Sequence, residues 1–229
     1  MEDLMMEDLI DPKRIVADGY DRMGHEFYEW NSERPAEVRR WFVGEVLARF
    51  GEGSAVLEVG CGPGTDAGEL SAGRRYVGVD LSSVQLSIAR RRVPHATFVL
   101  GDLASMAFRP ASFDVVVALY VLMHVPQEEL GPTFERIFGW LRPGGRLMLS
   151  LSTIEAEDRV EEWLGASMFF ARFTPQLSER LLREVGFHLE MSEVRGEGVD
   201  DGYGPVEFHW IIARKPELLK ETHAPGNIP

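Results

Sequence analysis

The sequence predicts an α/β fold built on a doubly wound, mainly parallel sheet. Three observations predict it. Short apolar strands alternate with helices between about residues 54 and 151. The first strand runs straight into the glycine-rich turn Gly60-Cys61-Gly62-Pro63-Gly64. Two late strands separated by a polar loop follow the last helix, as an antiparallel edge would.

In chain order, residues 1–10 are acidic with interspersed Leu and Met, and are expected to be a loose tail. Ile15, Val16, Tyr20, Met23, Phe27 and Trp30 recur at spacings of three and four, which predicts a helix from Pro12 to Trp30. A second helix is expected from about Ala36 to Phe50, so that residues 11–50 form a helical cap. Strands follow at Ala55–Val59, Tyr76–Val79, Thr97–Leu100, Phe113–Leu119 and Arg146–Leu151. Helices are expected at about Thr65–Leu70, Ser83–Arg92 and Gln127–Leu141, with Arg142-Pro143-Gly144-Gly145 closing the last. Phe113–Leu119 is apolar through its middle, as a strand covered on both faces must be. Residues 153–173 read as an insertion on the substrate side. Thr174 caps a helix with Pro175 in its first turn, and Gly186 stops it. His188–Val194 and Val206–Ala213 are the late strands, joined by the glycine-rich loop 195–204, and 216–229 is an expected disordered tail.

Composition narrows the function classes. The 229 residues are 45% hydrophobic and 27% charged, an ordinary globular balance for one domain. The formal net charge of −13 opposes nucleic acid and anionic membranes as partners. Cys61 stands alone, so no internal disulfide forms. The acidic start Met1-Glu2-Asp3-Leu4 lacks the basic flank of a signal peptide, and no apolar run approaches the roughly 20 residues of a membrane span. These features predict a cytoplasmic protein; the oligomeric state is not readable.

The chemistry lies at strand ends. In the turn after the first strand, missing Cβ atoms let a ligand lie on backbone N–H groups. Asp80 closes the second strand twenty residues after Gly60, where a carboxylate accepts ribose hydroxyls. Gly101-Asp102-Leu103 follows the third strand, where an acid can accept a hydrogen bond from an adenine amine. Singly, each has a plain structural account: a strand-to-helix turn, a helix N-cap, a loop turn. Together they line one crevice at the carboxyl edge of a parallel sheet, where open α/β sheets bind ligands.

Leu57-Glu58-Val59-Gly60-Cys61-Gly62-Pro63-Gly64 resembles motif I of the class I S-adenosylmethionine (AdoMet)-dependent methyltransferases, small-molecule type. Val77-Gly78-Val79-Asp80-Leu81-Ser82 resembles their motif II, Gly101-Asp102 their adenine-side acid and Phe113–Ala118 their motif IV strand. Leu141–Leu147 resembles the turn before their fifth strand, so the likeness spans about residues 54–151. The resemblance implies a Rossmann-like seven-stranded sheet of order 3-2-1-4-5-7-6 with strand seven antiparallel. It further implies that Glu58 and the turn containing Gly60, Cys61, Gly62 and Gly64 hold the methionine part of AdoMet. Asp80 would hold the ribose, with Leu81 against the adenine; Gly101, Asp102 and Leu103 would meet the adenine. The backbone of Ala118, Leu119 and Tyr120 would lie near the amino acid end and the sulfonium, Tyr20 and Tyr28 would cover the cofactor, and Arg39 or Arg40 would neutralise its carboxylate.

The implied reaction is in-line methyl transfer to a small, partly apolar organic acceptor, leaving S-adenosylhomocysteine (AdoHcy), with no metal. Cys61 reads as a packing residue. A base is needed only for a protonated acceptor, and His124 is best placed, ahead of His25 and His209. Trp30, Phe169, Phe170, Phe173 and Tyr203 are candidate acceptor linings. A nicotinamide-dependent oxidoreductase is the competing enzyme, although Thr65 stands where G-x-G-x-x-G requires glycine. A non-catalytic AdoMet-binding protein is a third reading.

Overall fold

In a computed structural model, residues 11–33, 37–153, 157–197 and 206–217 are described. The expected N-terminal tail, the C-terminal tail beyond Glu217 and most of the 195–204 loop lie outside them. Helices α1 (Pro12–Glu33) and α2 (Glu37–Arg49) precede β1 (Ala55–Val59), α3 (Ala67–Ser71), β2 (Arg75–Asp80), α4 (Ser83–Arg92), β3 (Thr97–Leu100) and β4 (Phe113–Ala118). After these come α5 (Gln127–Trp140), β5 (Leu141–Ser152), β6 (Arg159–Trp163), β7 (Ala166–Phe170), α6 (Pro175–Val185), β8 (His188–Glu197) and β9 (Val206–Arg214).

The seven-stranded sheet has the order β3-β2-β1-β4-β5-β9-β8. With the separate β6–β7 hairpin set aside, this is the expected 3-2-1-4-5-7-6. β9 runs antiparallel to both β5 and β8. Alternation along β4 shows why the sheet is covered twice. Val116 and Ala118 join one core with Leu130, Phe134 and Ile137 of α5. Val115 and Val117 join the other with Phe42, Val43 and Val46 of α2.

Three local readings change. The 153–173 insertion contains a hairpin not expected from sequence: β6 and β7 pair antiparallel, from Arg159↔Phe170 to Trp163↔Ala166. Their turn places Leu164 and Gly165 at φ 49° and 72°. Arg142–Gly145 belongs to β5 as an irregularity, because Phe113 pairs with Leu141 but Val115 with Arg146. α1 reaches Glu33 and is interrupted at Gly24 (φ 52°, ψ −122°). There the Gln85 amide donates to the carbonyls of Tyr20 and Gly24, so α4 fixes the kink. Asp21 docks the same helix on the α4 N-terminus, accepting from Val84 N and the Ser82 hydroxyl.

α1 also lies close on β7. A Cβ at Gly19 would stand 2.2 Å from Met168 Sδ and 3.0 Å from the Ser167 carbonyl oxygen. Alanine would gain about 1 kcal/mol of helix propensity, against overpacking of about 1–3 kcal/mol. The Ser167 oxygen is backbone and cannot turn aside, so overpacking wins. We expect Gly19→Ala to lower the urea midpoint, a net loss of about 1 kcal/mol; an unchanged or raised midpoint would show that the seam is loose.

Candidate functional site

A cavity of about 350 Å³ opens where β1, β2 and β3 end, beneath α1 and the β6–β7 hairpin. Of the residues singled out from sequence, Tyr20, Gly60, Cys61, Gly62, Asp80, Leu81, Gly101, Asp102, Leu103, Leu119 and His124 line it. Glu58, Gly64 and Ala118 stand behind its wall. Gly64 packs on α4, where its Cβ would come 3.1 Å from Ala89 Cβ, and Ala118 is fully buried in β4.

The glycine turn is a cradle. Gly60 and Gly62 have φ 66° and 50°, a region that disfavours side chains. A Cβ at Gly62 would find nothing nearer than Phe27 Cε1 at 3.8 Å, so it would project into the cavity and occupy ligand space. Asp80 braces this turn, accepting from Gly62 N at 2.7 Å and Ser82 N at 2.9 Å. Burial pushes its carboxyl up and the backbone N–H groups oppose this. Two carboxylate oxygens offer about four lone-pair sites, so acceptor capacity remains for hydroxyls. The helix-cap alternative for Asp80 gives way to Ser82, whose hydroxyl accepts from Gln85 N. Asp102 accepts from Ala104 N at 2.8 Å and faces Lys13 Nζ at 3.9 Å. Lys13 is held more firmly by Glu129, at 2.8 Å.

Cys61 donates its N–H to the Val79 carbonyl, and its thiol is buried. Burial, then Asp80 and Glu58, push the thiol well above its usual range, so it stays protonated and is no nucleophile. Behind the turn, Tyr76 donates to the buried Glu58. Burial, then the Asp66 charge, raise the Glu58 carboxyl to about 8. A native state that keeps a proton which the unfolded chain releases loses stability as pH rises from about 4.5 towards 8. We expect Glu58→Gln to flatten that decline and raise thermal stability at pH 8 by about 1–3 kcal/mol. Parallel pH curves for variant and parent would contradict the shift.

His124 lines the cavity from a 3-10 turn, Leu122–His124, just after β4. Its Nδ1 lies 2.7 Å from the Phe169 carbonyl oxygen on β7. A carbonyl only accepts, so Nδ1 carries the proton and Nε2 is an acceptor. The Tyr20 hydroxyl, 2.9 Å away, donates to that Nε2. Burial lowers His124 to about 4, and burial with the Asp80 charge raises the Tyr20 phenol. Both groups are neutral at neutral pH.

Of the weaker sequence candidates, His25 is exposed beside Glu29, and His209 is buried against Ser192. Arg39 lines the cavity, bound to Asp66 and Asn31, whereas Arg40 is exposed. Tyr28 carries the Arg92 guanidinium on its ring. Trp30 and Phe170 line the cavity. Phe169 and Phe173 are core residues, and Tyr203 lies outside the described residues. Sequence reasoning missed Lys13, Gln85 and Trp163, all cavity-lining, whereas Tyr120, expected at the amino acid end, lines the cavity too. Tyr120, at φ 57°, holds a conformation that non-glycine residues rarely adopt. Among the described residues, no cluster of three or more His, Cys, Asp or Glu could hold a metal, and no helix is long and apolar enough to cross a membrane.

A family model described as a methyltransferase domain matches residues 56–145. Over that stretch the chain is similar to methyltransferase domains. It is 37% identical over 130 residues to trans-aconitate 2-methyltransferase of Variovorax paradoxus, covering 54% of this chain and 46% of that protein. It is 30% identical over 158 residues to sterol 24-C-methyltransferase of Schizosaccharomyces pombe, covering 59% and 41%. The matches thus span about half the length of these curated relatives. Burkholderia thailandensis 1,6-didemethyltoxoflavin-N1-methyltransferase, solved with 1,6-didemethyltoxoflavin and S-adenosylhomocysteine bound, shares the fold at TM-score 0.69 and 24% identity, covering 91% of this chain and 92% of that one.

Proposed function

We propose that this chain transfers a methyl group from AdoMet to a small, partly apolar organic acceptor. One observation carries the reading: the Gly60–Gly62 turn, Asp80 and Asp102, from three separate strand ends, converge on a single cavity. Gly62 gives the backbone its open face, Asp80 takes the ribose hydroxyls with Leu81 beside the adenine, and Asp102 with Gly101 and Leu103 takes the adenine edge. Arg39 sets the charge at the methionine end, with Glu58, mainly protonated at neutral pH, behind the turn. The cofactor supplies an electrophilic methyl on a sulfonium, so no protein nucleophile is required. The chain supplies alignment, which can be worth about 7–11 kcal/mol of barrier.

We assign Tyr20 to the acceptor and His124 to Tyr20. The hydroxyl proton of Tyr20 points to His124 Nε2, leaving the phenol oxygen lone pairs free to accept from an acceptor N–H or O–H. His124 thereby becomes a positioning residue instead of the direct base expected from sequence. Its single buried cysteine suits work in the reducing cytoplasm. Calorimetry with AdoHcy and NAD, followed by transfer of labelled methyl from AdoMet into small-molecule fractions, tests the reading. We expect AdoHcy to bind, NAD not to bind, and label to enter a small molecule. NAD binding alone would favour the oxidoreductase; AdoHcy binding with no labelled product would favour a non-catalytic binder.

A further inference from the structure

The acceptor side of the cavity joins an aromatic cluster to charges that are already spoken for. Trp163, at the end of β6, meets Tyr20, Phe27 and Trp30 of α1 and Phe170 of β7, with centroids 6.2, 5.9, 5.1 and 6.1 Å away. Every one of these contacts is edge-type, with interplanar angles of 78°, 63°, 90° and 84°. None of these contacts on Trp163 is a parallel stack, the arrangement an added flat ring can supply, whereas Phe170 already carries His124 at 5.1 Å and the Arg172 guanidinium at 5.8 Å.

The cations around the cavity have partners. Arg172 is paired with Glu161, which Arg159 also contacts. Lys13 is paired with Glu129 and Arg39 with Asp66. An anionic acceptor entering here would lose its hydration and compete with those carboxylates for cations already paired, gaining only the buried Arg172 Nε, which has no hydrogen-bond partner. A cationic acceptor fares little better. Glu161 is neutralised twice over, and Glu162 lines the cavity from an exposed position, where water screens its pull on a cation. The polar groups open to an acceptor include the Tyr20 oxygen, oriented by His124, and Gln85 Oε1, which is buried without a hydrogen-bond partner.

Resting on the methyltransferase reading, we infer that the acceptor is a flat, uncharged ring compound. It lies against Trp163 and Phe170 and presents one N–H or O–H to Tyr20. The hairpin β6–β7 therefore selects the acceptor, because it supplies both rings and, through the Phe169 carbonyl, fixes the His124 tautomer.

The test titrates AdoHcy first, and then titrates 2-naphthol, citrate and choline into the AdoHcy-saturated protein. Failure of the first titration sinks the cofactor reading; the second series tests the acceptor inference alone. We expect 2-naphthol to bind at least about tenfold more tightly than citrate or choline. Trp163→Ala should weaken 2-naphthol about tenfold while AdoHcy affinity holds, and Trp163→Phe should restore most of it. If Trp163→Ala also loses AdoHcy, Phe170→Ala supplies the same comparison. Tighter binding of citrate or choline, binding of none of the three, or a ring-deleting variant that leaves 2-naphthol unchanged would overturn the inference.

Discussion

Replacing Asp80 by alanine is expected to weaken AdoHcy binding by about 100-fold or more. The carboxylate is asked to do two things. It accepts from Gly62 N and Ser82 N, which fixes the glycine turn against the end of β2. On the proposed reading it also offers its remaining lone pairs to the ribose. Hydrogen bonds to a charged group contribute about 1.5–3 kcal/mol each, so losing two reaches the 100-fold range. Asp80→Asn keeps the size and one acceptor oxygen and should fall between parent and alanine. Calorimetry on the folded variants checks this. A change below about threefold for Asp80→Ala would place the ribose elsewhere.

Tyr20→Phe should lower kcat by about 100-fold, because misplacing a reactant by about 1 Å costs that much. The ring keeps its edge contacts with Phe27 and Trp163, so AdoHcy affinity should change little. His124→Asn should cost less, because it disturbs Tyr20 without removing the hydroxyl. The pH profile separates the roles. With His124 lowered to about 4, no inflection near 6.5 should come from it. For stability the sign runs the other way from a paired histidine. The unfolded chain takes up the proton below about 6.5 and the native state does not, so His124 contributes a loss of stability as pH falls from 6.5 towards 4. An activity limb near 6.5 that vanishes in His124→Asn would restore His124 as a direct base.

The parallel core was legible because its strands are short apolar runs bounded by glycine and acids. Ser83–Arg92 and Thr97–Leu100 were found to the residue. The cofactor crevice was legible for a related reason, since strand ends carry their chemistry in contiguous motifs. The acceptor side was not. The β6–β7 hairpin turns at Leu164-Gly165 instead of the Asn-Gly or Asp-Gly that marks such a turn, and Arg159-Val160-Glu161-Glu162-Trp163 does not alternate cleanly. The kink at Gly24 is stabilised by Gln85, far along the chain, so nothing near Gly24 announces it. Tyr20 and His124 are separated by 104 positions, and no local pattern pairs residues that only tertiary packing brings together. Cofactor sites of this kind are written locally, whereas acceptor sites are written in contacts between elements.

The central claim is that the ends of β1, β2 and β3 hold one nucleoside. A crystal structure of the AdoHcy complex tests it most directly. It should place the ribose hydroxyls on the Asp80 carboxylate, the adenine amine beside Asp102 and the amino acid portion over Gly62, with Tyr20 still on His124. AdoHcy lying elsewhere, or Asp80 remaining tied only to its backbone partners with ligand bound, would contradict the account.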